Sequence, residues 1–351
     1  MFWNNKRVLI TGHTGFKGAW LSLWLHSLGA KLYGLALPPN TSPSLFTTLD
    51  GSQFFEKESL TDLADAKATH SFIRECQPGV VFHLAAQALV RASYTDPVET
   101  FRTNVLGTAH ILDAVKSTPS VKAVVVVTSD KCYDNRELGV PFREEDPMGG
   151  IDPYSASKGC AELIVNSFRH SFFSSVGSPG IASARAGNVF GGGDWSTDRL
   201  IPDIVRAISN KTELVIRYPK SVRPWQHVIE PLHGYLSLAE NLYSNPTAFS
   251  QAWNFGPNSD AHKDVEWIVT QFSSRWGDGL SWRISNQEAP YESKLLSLNS
   301  TKAEKLLNCA PRLSIEEGLA WTVDWYKVFS KSPGDIPEFS RQQIQRYESL
   351  R

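Results

Sequence analysis

The segment RVLITGHTGFKGAWLSLWLHSLG (7–29) constrains the fold more than any other stretch. It opens with an apolar, β-branched run and places Gly12, Gly15 and Gly18 at three-residue spacing. It then continues with helical spacing to Gly29, a natural helix stop. Strand, glycine turn and helix in that order make the first half of a βαβ unit. The glycines permit a tight bend and close helix packing, while the helix N-terminus offers free N–H groups and a positive dipole end to phosphate. A dinucleotide site is therefore expected here, with Gly12, His13, Thr14, Gly15, Phe16, Lys17 and Gly18 around the cofactor's diphosphate.

The alternation continues. KLYGLAL (31–37), GVVFHLAA (79–86), VKAVVVVTS (121–129) and GIASARAGNVFG (180–191) read as buried strands. LADAKATHSFIRECQP (63–78), PVETFRTNVLGTAHILDAVKS (97–117) and DPYSASKGCAELIVNSFRHSF (152–172) read as helices. Strands separated by helices imply right-handed crossovers and a parallel sheet. After Gly191 the pattern breaks up, with GGGDW at 191–195 and Pro202, Pro219, Pro224 and Pro231 following. The expected architecture is a doubly wound parallel α/β sheet with a smaller C-terminal substrate-binding lobe. Residues 1–187 plus 229–258 are expected to form the dinucleotide-binding domain, and 188–228 plus 259–351 the second lobe.

The 35 basic and 36 acidic residues nearly cancel. That balance argues against nucleic acid or an anionic membrane as partner. Cys76, Cys132, Cys160 and Cys309 include no CxxC pair, so a disulfide framework or metal site is not expected and a reducing, cytoplasmic compartment fits. The apolar stretch 16–28 carries Lys17 and His26 and reads as a core helix, not a signal peptide.

Further motifs follow the glycine turn in order: HLAAQ (83–87), TNVLGT (103–108), TSDKCY (128–133), YSASK (154–158) and RAGNVFG (185–191). As a set they resemble the extended short-chain dehydrogenase/reductase family, in its nucleotide-sugar dehydratase and epimerase branch. The resemblance implies a Rossmann fold with NAD as cofactor. It implies that Leu84, Ala85, Ala86 and Thr103 line the cofactor site and that Ser59 and Leu60 flank the adenine. Asp62 in the same segment reads equally as a helix N-cap. The family usually ends its second strand with an acid for the adenosine ribose; Ala36 stands there instead, with no arginine beside it, so NAD and NADP both stay open at that position. His13 and Lys17 would offset the loss by reaching the phosphates, the alternative being that both are solvated.

Tyr154 and Lys158 stand four apart, on one helix face. The resemblance implies that Lys158 lowers the phenol's pKa and that Tyr154 takes a proton from a sugar hydroxyl as the carbon gives up hydride. Ser129 would bond the same hydroxyl. The run VVVV (124–127) then delivers Asp130 and Lys131 side by side. Dehydratases of the family carry an acid–base pair here; epimerases do not. Oxidation at C4 acidifies the C5 proton, a base removes it, an acid protonates the leaving C6 hydroxyl, and hydride returns to C6. The resemblance implies Asp130 as acid and Lys131 as base, both uncharged, a state reached by moving one proton between them. The reverse assignment and a plain ion pair at a strand end are the alternatives.

GGGDW, DRLIPD (198–203) and RPWQHVIEPLHGYL (223–236) resemble substrate segments of members acting on cytidine diphosphate sugars. The implied substrate is CDP-glucose and the implied product CDP-4-keto-6-deoxyglucose, for deoxysugar and O-antigen synthesis. A nucleoside diphosphate needs cations and stacking surfaces. Arg199, Arg223, and Lys211 or Arg217 are candidate diphosphate contacts, and Trp195, Trp225 and Tyr291 candidate stacking partners. Gln87, Arg91, Asn188, Leu200 and His227 complete the substrate set; the tryptophans read equally as core and His227 as a structural histidine. A 4-epimerase and a non-catalytic NAD sensor are the rival functions. Helices 97–117 and 152–172 are expected to pack a homodimer or homotetramer.

Overall fold

Seven parallel strands form the centre of the computed structural model, which describes residues 2–137, 139–277, 279–285 and 296–350. They are β1 (Arg7–Thr11), β2 (Lys31–Ala36), β3 (Phe55–Leu60), β4 (Val80–His83), β5 (Ala123–Val127), β6 (Gly180–Arg185) and β7 (Ala252–Asn254), in the order β7-β6-β5-β4-β1-β2-β3. The order reverses between β1 and β4, where open α/β sheets open a ligand crevice at their carboxyl ends. Register is fixed on both sides of β1, with Ile10 opposite Gly34 and Phe82.

Helix α1 (Phe16–Ser27) follows β1, α2 (Ala66–Cys76) follows β3, and α3 (Gly107–Lys116) precedes β5. Then come α4 (Pro153–Phe172), α5 (Leu200–Asn210), α6 (Ile229–Ser244), α7 (Val265–Trp276), α8 (Ile315–Lys331) and α9 (Ile336–Ser349). The β-branched run of β5 is divided between two cores. Val125 and Val127 face the α1 and α6 side, whereas Val124 and Val126 face the α2 and α3 side. Burial on both faces is why that strand reads as an unbroken apolar run.

Three elements differ from the sequence reading. Strand β3 was not expected: FEKESL is charged, but as the sheet's edge it is only partly buried, and charge there blocks edge-to-edge pairing. The helix expected over 97–117 runs without interruption to Lys116 but holds a π-helical turn, Arg102–Leu106, between Pro97–Phe101 and α3. The strand expected over 180–191 stops at Arg185, and Val189–Phe190 pairs instead with Gln226–His227 in a separate two-stranded sheet. The 229–258 segment returns to the main sheet, β7 pairing with β6 through Trp253 opposite Ala184. Among the described residues no helix is long and apolar enough to cross a membrane.

Candidate active site

The glycine turn lies at the carboxyl end of β1. Gly12 has φ +73°, and a Cβ there would sit 2.7 Å from the Ala85 backbone, so only glycine fits. A Cβ on Gly18 would come within 2.1 Å of the Gly12 carbonyl oxygen, which explains the third glycine by helix packing. Gly15 is exposed and leaves the backbone open to a diphosphate at the α1 N-terminus. The turn therefore fits a dinucleotide. Thr14 is committed to the Leu37 carbonyl oxygen at 2.8 Å. At the adenosine end Ala36 is buried, Ser59 shares a 2.7 Å hydrogen bond with Thr61, and Leu60 is exposed. Asp62 accepts from the Ala64 amide and from Arg102, while Asp65 caps α2.

His13 does not reach toward phosphate. Its ring is enclosed by Phe46, Phe55 and the backbone of Gly34, with Nε2 3.1 Å from Glu58 Oε2. Burial lowers its pKa although Glu58 opposes the shift. Lys17 also departs from expectation, turning inward until Nζ lies 3.5 Å from the Tyr235 hydroxyl.

Tyr154 occupies the first turn of α4, capped by Asp152, whose carboxylate accepts from the Ser155 amide at 2.9 Å. Its phenol bonds Ser129 and is pushed up to about 12, burial outweighing the lowering by Ser129 and Arg199. The Lys158 ammonium lies over that ring, 6.0 Å from its centroid, and burial lowers its own pKa to about 8. Asp130 is 2% exposed. Its Oδ1 accepts from Ser129 Oγ at 2.9 Å, and its Oδ2 has no hydrogen-bond partner. A Cβ on Gly187 would lie 2.0 Å from that oxygen, so glycine makes room for the carboxylate.

Lys131 and Asp130 form no ion pair among the described residues. They sit in a single 3₁₀ turn, where successive side chains diverge. Lys131 instead lines a small cavity with Tyr133, Asp152 and Ser155.

Beneath these groups lies a buried polar frame that the sequence reading missed. Glu162, one turn beyond Lys158, accepts from Thr128 Oγ1 (2.5 Å), Ser183 Oγ (2.8 Å) and Arg185 Nη2 (2.7 Å). Arg185 also donates to the Tyr133 hydroxyl at 2.7 Å. Burial raises the Glu162 pKa, but Arg185 and the two hydroxyls win and hold it below its usual value. Asn104, in the π-helical turn, bonds the Gln87 amide and carbonyl oxygen and donates to Ser157. His83 bridges Thr11 and Thr108, with burial lowering its pKa to about 3. The available signals were a carboxylate on the inward face of a helix and an arginine inside an apolar strand.

The substrate candidates divide. Arg91 and Arg217 both reach Asp198, at 2.6 and 3.4 Å, and Arg199 lies 3.8 Å from Asp194. Leu200 begins α5, and Lys211 caps its far end. Asn188 and Arg223 are half-buried and Thr103 bonds Glu99. Four of the candidates are engaged within the protein itself, and for the two tryptophans and His227 this is the structural alternative of the sequence reading. The Gln87 side-chain amide donates to the Leu89 carbonyl oxygen and to Thr100, and accepts from the Leu89 N–H. Trp195 packs on Tyr326 and Phe329. Trp225 is buried and donates to the Lys263 carbonyl oxygen. His227 is sealed among Trp20, Phe190 and Trp321, and burial lowers its pKa to about 3. Tyr291 lies outside the described residues. No group of three or more His, Cys, Asp or Glu residues among the described residues is placed to hold a metal ion.

A glycine-turn Rossmann fold with Ser129, Tyr154 and Lys158 converging at a strand end defines an enzyme of the extended short-chain dehydrogenase/reductase type. The GDP-mannose 4,6 dehydratase family profile matches residues 9–322, and the chain belongs to that family. It is 48% identical to the CDP-glucose 4,6-dehydratase of Salmonella typhimurium, over 99% of this chain and 98% of the relative. It is 26% identical to a dTDP-glucose 4,6-dehydratase of Xanthomonas campestris, over 91% and 92% of the two chains. Among solved structures, the dTDP-glucose 4,6-dehydratase of Bacillus anthracis in complex with NAD superposes with a TM-score of 0.74 at 22% identity, covering 92% of this chain and 97% of that one. The UDP-glucuronic acid 4-epimerase of Bacillus cereus superposes with a TM-score of 0.78 at 19% identity, covering 91% and 98%.

Proposed function

We propose that this chain is an NAD-dependent hydro-lyase that converts CDP-glucose to CDP-4-keto-6-deoxyglucose. The observation that carries the reading is 48% identity across nearly the whole chain to an enzyme of that activity, with Asp130 and Lys131 following Ser129 at the strand end. The turn 12–18 would hold NAD, which would supply the reversible hydride acceptor that the reaction needs. Ser129 orients the C4 hydroxyl, and Tyr154 takes its proton, with Lys158 supplying positive charge behind the ring. Asp130 presents its unpartnered oxygen to the C6 hydroxyl as proton donor. Lys131, directed away from Asp130, takes the C5 proton.

The arginines gathered at Asp198 suit the nucleoside diphosphate, guanidinium being matched to phosphate. We also read residues 1–187 plus 229–258 as the cofactor domain and the remainder as the sugar-nucleotide lobe. Exposed Val98, Leu106 and Leu163, on the 97–116 and 153–172 helices, support a homodimer through those faces. Four free cysteines suit the cytoplasm, where the product would feed O-antigen and related deoxysugars.

The test is NMR in heavy water with CDP-glucose, UDP-glucose and dTDP-glucose given separately. A 4-keto-6-deoxy product carrying deuterium at C5, from the CDP sugar alone, supports the reading. A galactose-configured product without C5 label makes the enzyme an epimerase. In Lys131→Met, C4 oxidation should persist while C5 exchange stops; normal exchange removes Lys131 from the base role.

A further inference from the structure

Arg91 and Arg217 come from distant parts of the chain and end on the same atom. Arg91 lies in the short helix Val90–Thr95 after β4, and Arg217 directly follows the strand Leu214–Ile216. Their Nη1 atoms lie 2.6 and 3.4 Å from Oδ1 of Asp198. The cluster borders the reacting centre, because Ser93, two residues after Arg91, accepts a hydrogen bond from the Tyr154 amide at 3.1 Å. Arg199, the residue after Asp198, turns instead toward Asp194, 3.8 Å away. Asp198 has φ +59°, in the left-handed region that few residues other than glycine adopt and that aspartate and asparagine tolerate best. In that conformation its loop presents one carboxylate oxygen to two guanidiniums from separate segments. The side chains of the Arg91 pair are 46% and 37% exposed, and ion pairs as exposed as this are weak and readily exchanged.

We propose that Asp198 stands in for the substrate's diphosphate: its carboxylate holds Arg91 and Arg217 between turnovers, and the incoming nucleotide takes both guanidiniums from it. The proposal rests on the nucleotide-sugar reading above. Carboxylate and phosphate oxygens compete for the same N–H fork of arginine, and a diphosphate brings more charge and more acceptor oxygens than one carboxylate. The exchange therefore runs toward the nucleotide. When product leaves, Asp198 recaptures both side chains and keeps them ordered at the cleft. Nucleotide is thus held less tightly than the two arginines alone would hold it, and Asp198 sets the affinity without touching the substrate.

The probe is CDP, titrated calorimetrically into the full chain. Asp198→Asn keeps the side chain's shape and the tolerance for a left-handed backbone but removes the charge. It should bind CDP about three- to tenfold more tightly than wild type, the worth of two exposed pairs. Unchanged or weaker binding overturns the proposal, since Asp198 would then be a bystander or would orient the arginines for the ligand. Loss of a negative charge at a distance also tightens binding, so the comparison is repeated in an Arg91→Met background. There Asp198→Asn should gain less, because only Arg217 remains to be released; an equal gain in both backgrounds overturns the proposal. A crystal structure of the wild type with CDP should show both arginines on the diphosphate and neither bonded to Asp198, whereas persistence of both pairs overturns it. All of these negative results leave the nucleotide reading intact. Failure of the wild type to bind CDP at all removes that reading and this proposal with it.

Discussion

Replacing Glu162 with Gln removes one negative charge from a site where every neighbour is a donor. The carboxylate accepts from Thr128, Ser183 and Arg185, and the side chains of the ion pair are 5% and 4% exposed. Glutamine keeps a single carbonyl oxygen and turns an amide donor toward another donor. Arg185 stays charged and loses its counter-ion. Removing one member of a buried pair costs about 3–5 kcal/mol. Removing both charges, as in Glu162→Met/Arg185→Met, should cost less than the two single changes together, because no uncompensated charge remains. The double variant still leaves the Thr128 and Ser183 hydroxyls without Glu162, and the Tyr133 hydroxyl and the Glu144 carbonyl oxygen without Arg185, a loss of about 1–3 kcal/mol for each group left unpaired. Urea unfolding followed by tryptophan fluorescence reads Glu162→Met, Arg185→Met and the double variant against wild type in a double-mutant cycle. Simple addition of the single losses would refute the reasoning, since the two charges would then be energetically independent. Thr128→Val tests the frame's tie to chemistry. It removes one hydrogen bond to the carboxylate, about 1.5–3 kcal/mol, immediately before Ser129. It should lower kcat while leaving KM for CDP-glucose near wild type; equal changes in both would mean the frame does not position Ser129.

Lys158, with its pKa lowered to about 8, carries its charge only below that pH, so kcat should fall as pH rises past 8, and Lys158→Arg should move that alkaline limb upward in a pH–rate profile. Gly12→Ala should abolish NAD binding in calorimetry, because φ +73° and the 2.7 Å approach to Ala85 leave no room for a methyl group; wild-type affinity would refute the steric argument. His227 is buried and neutral, with a folded-state pKa far below its unfolded value of about 6.5. The unfolded chain therefore binds more protons, and stability is lost as pH falls from 6.5 toward 3. His227→Leu should flatten part of that slope in urea midpoints measured at successive pH values, with His83 supplying much of what remains.

Some elements are legible because burial leaves the chain few choices. VVVV in β5 must be apolar on both faces, and the turn 12–18 must be glycine where the Ala85 backbone and the Gly12 carbonyl oxygen approach. Strand β3 is not legible because an edge strand has one neighbour and a wet face, so Glu56, Lys57 and Glu58 look like surface. The π-helical turn at 102–106 is not legible because its purpose is a side-chain bond from Asn104 to the loop at Gln87 and to Ser157 in α4. The site shows the same division. Ser129, Asp130, Tyr154 and Lys158 come together because a strand end and the first turns of a helix must meet at the crevice. The polar groups at Gln87, His13, Trp225 and His227 are placed near motifs yet already enclosed or consumed, by partners as distant in sequence as Glu58 and Lys263. Sequence shows which groups are available for chemistry; only long-range contacts show which are already committed. The converse is a usable signal. Glu162 and Arg185 are charges placed where spacing demands apolar residues, and a charge retained in such a position must have a partner. Two of them on neighbouring inward faces therefore predict each other, and they point to the strand end that the pair holds in place.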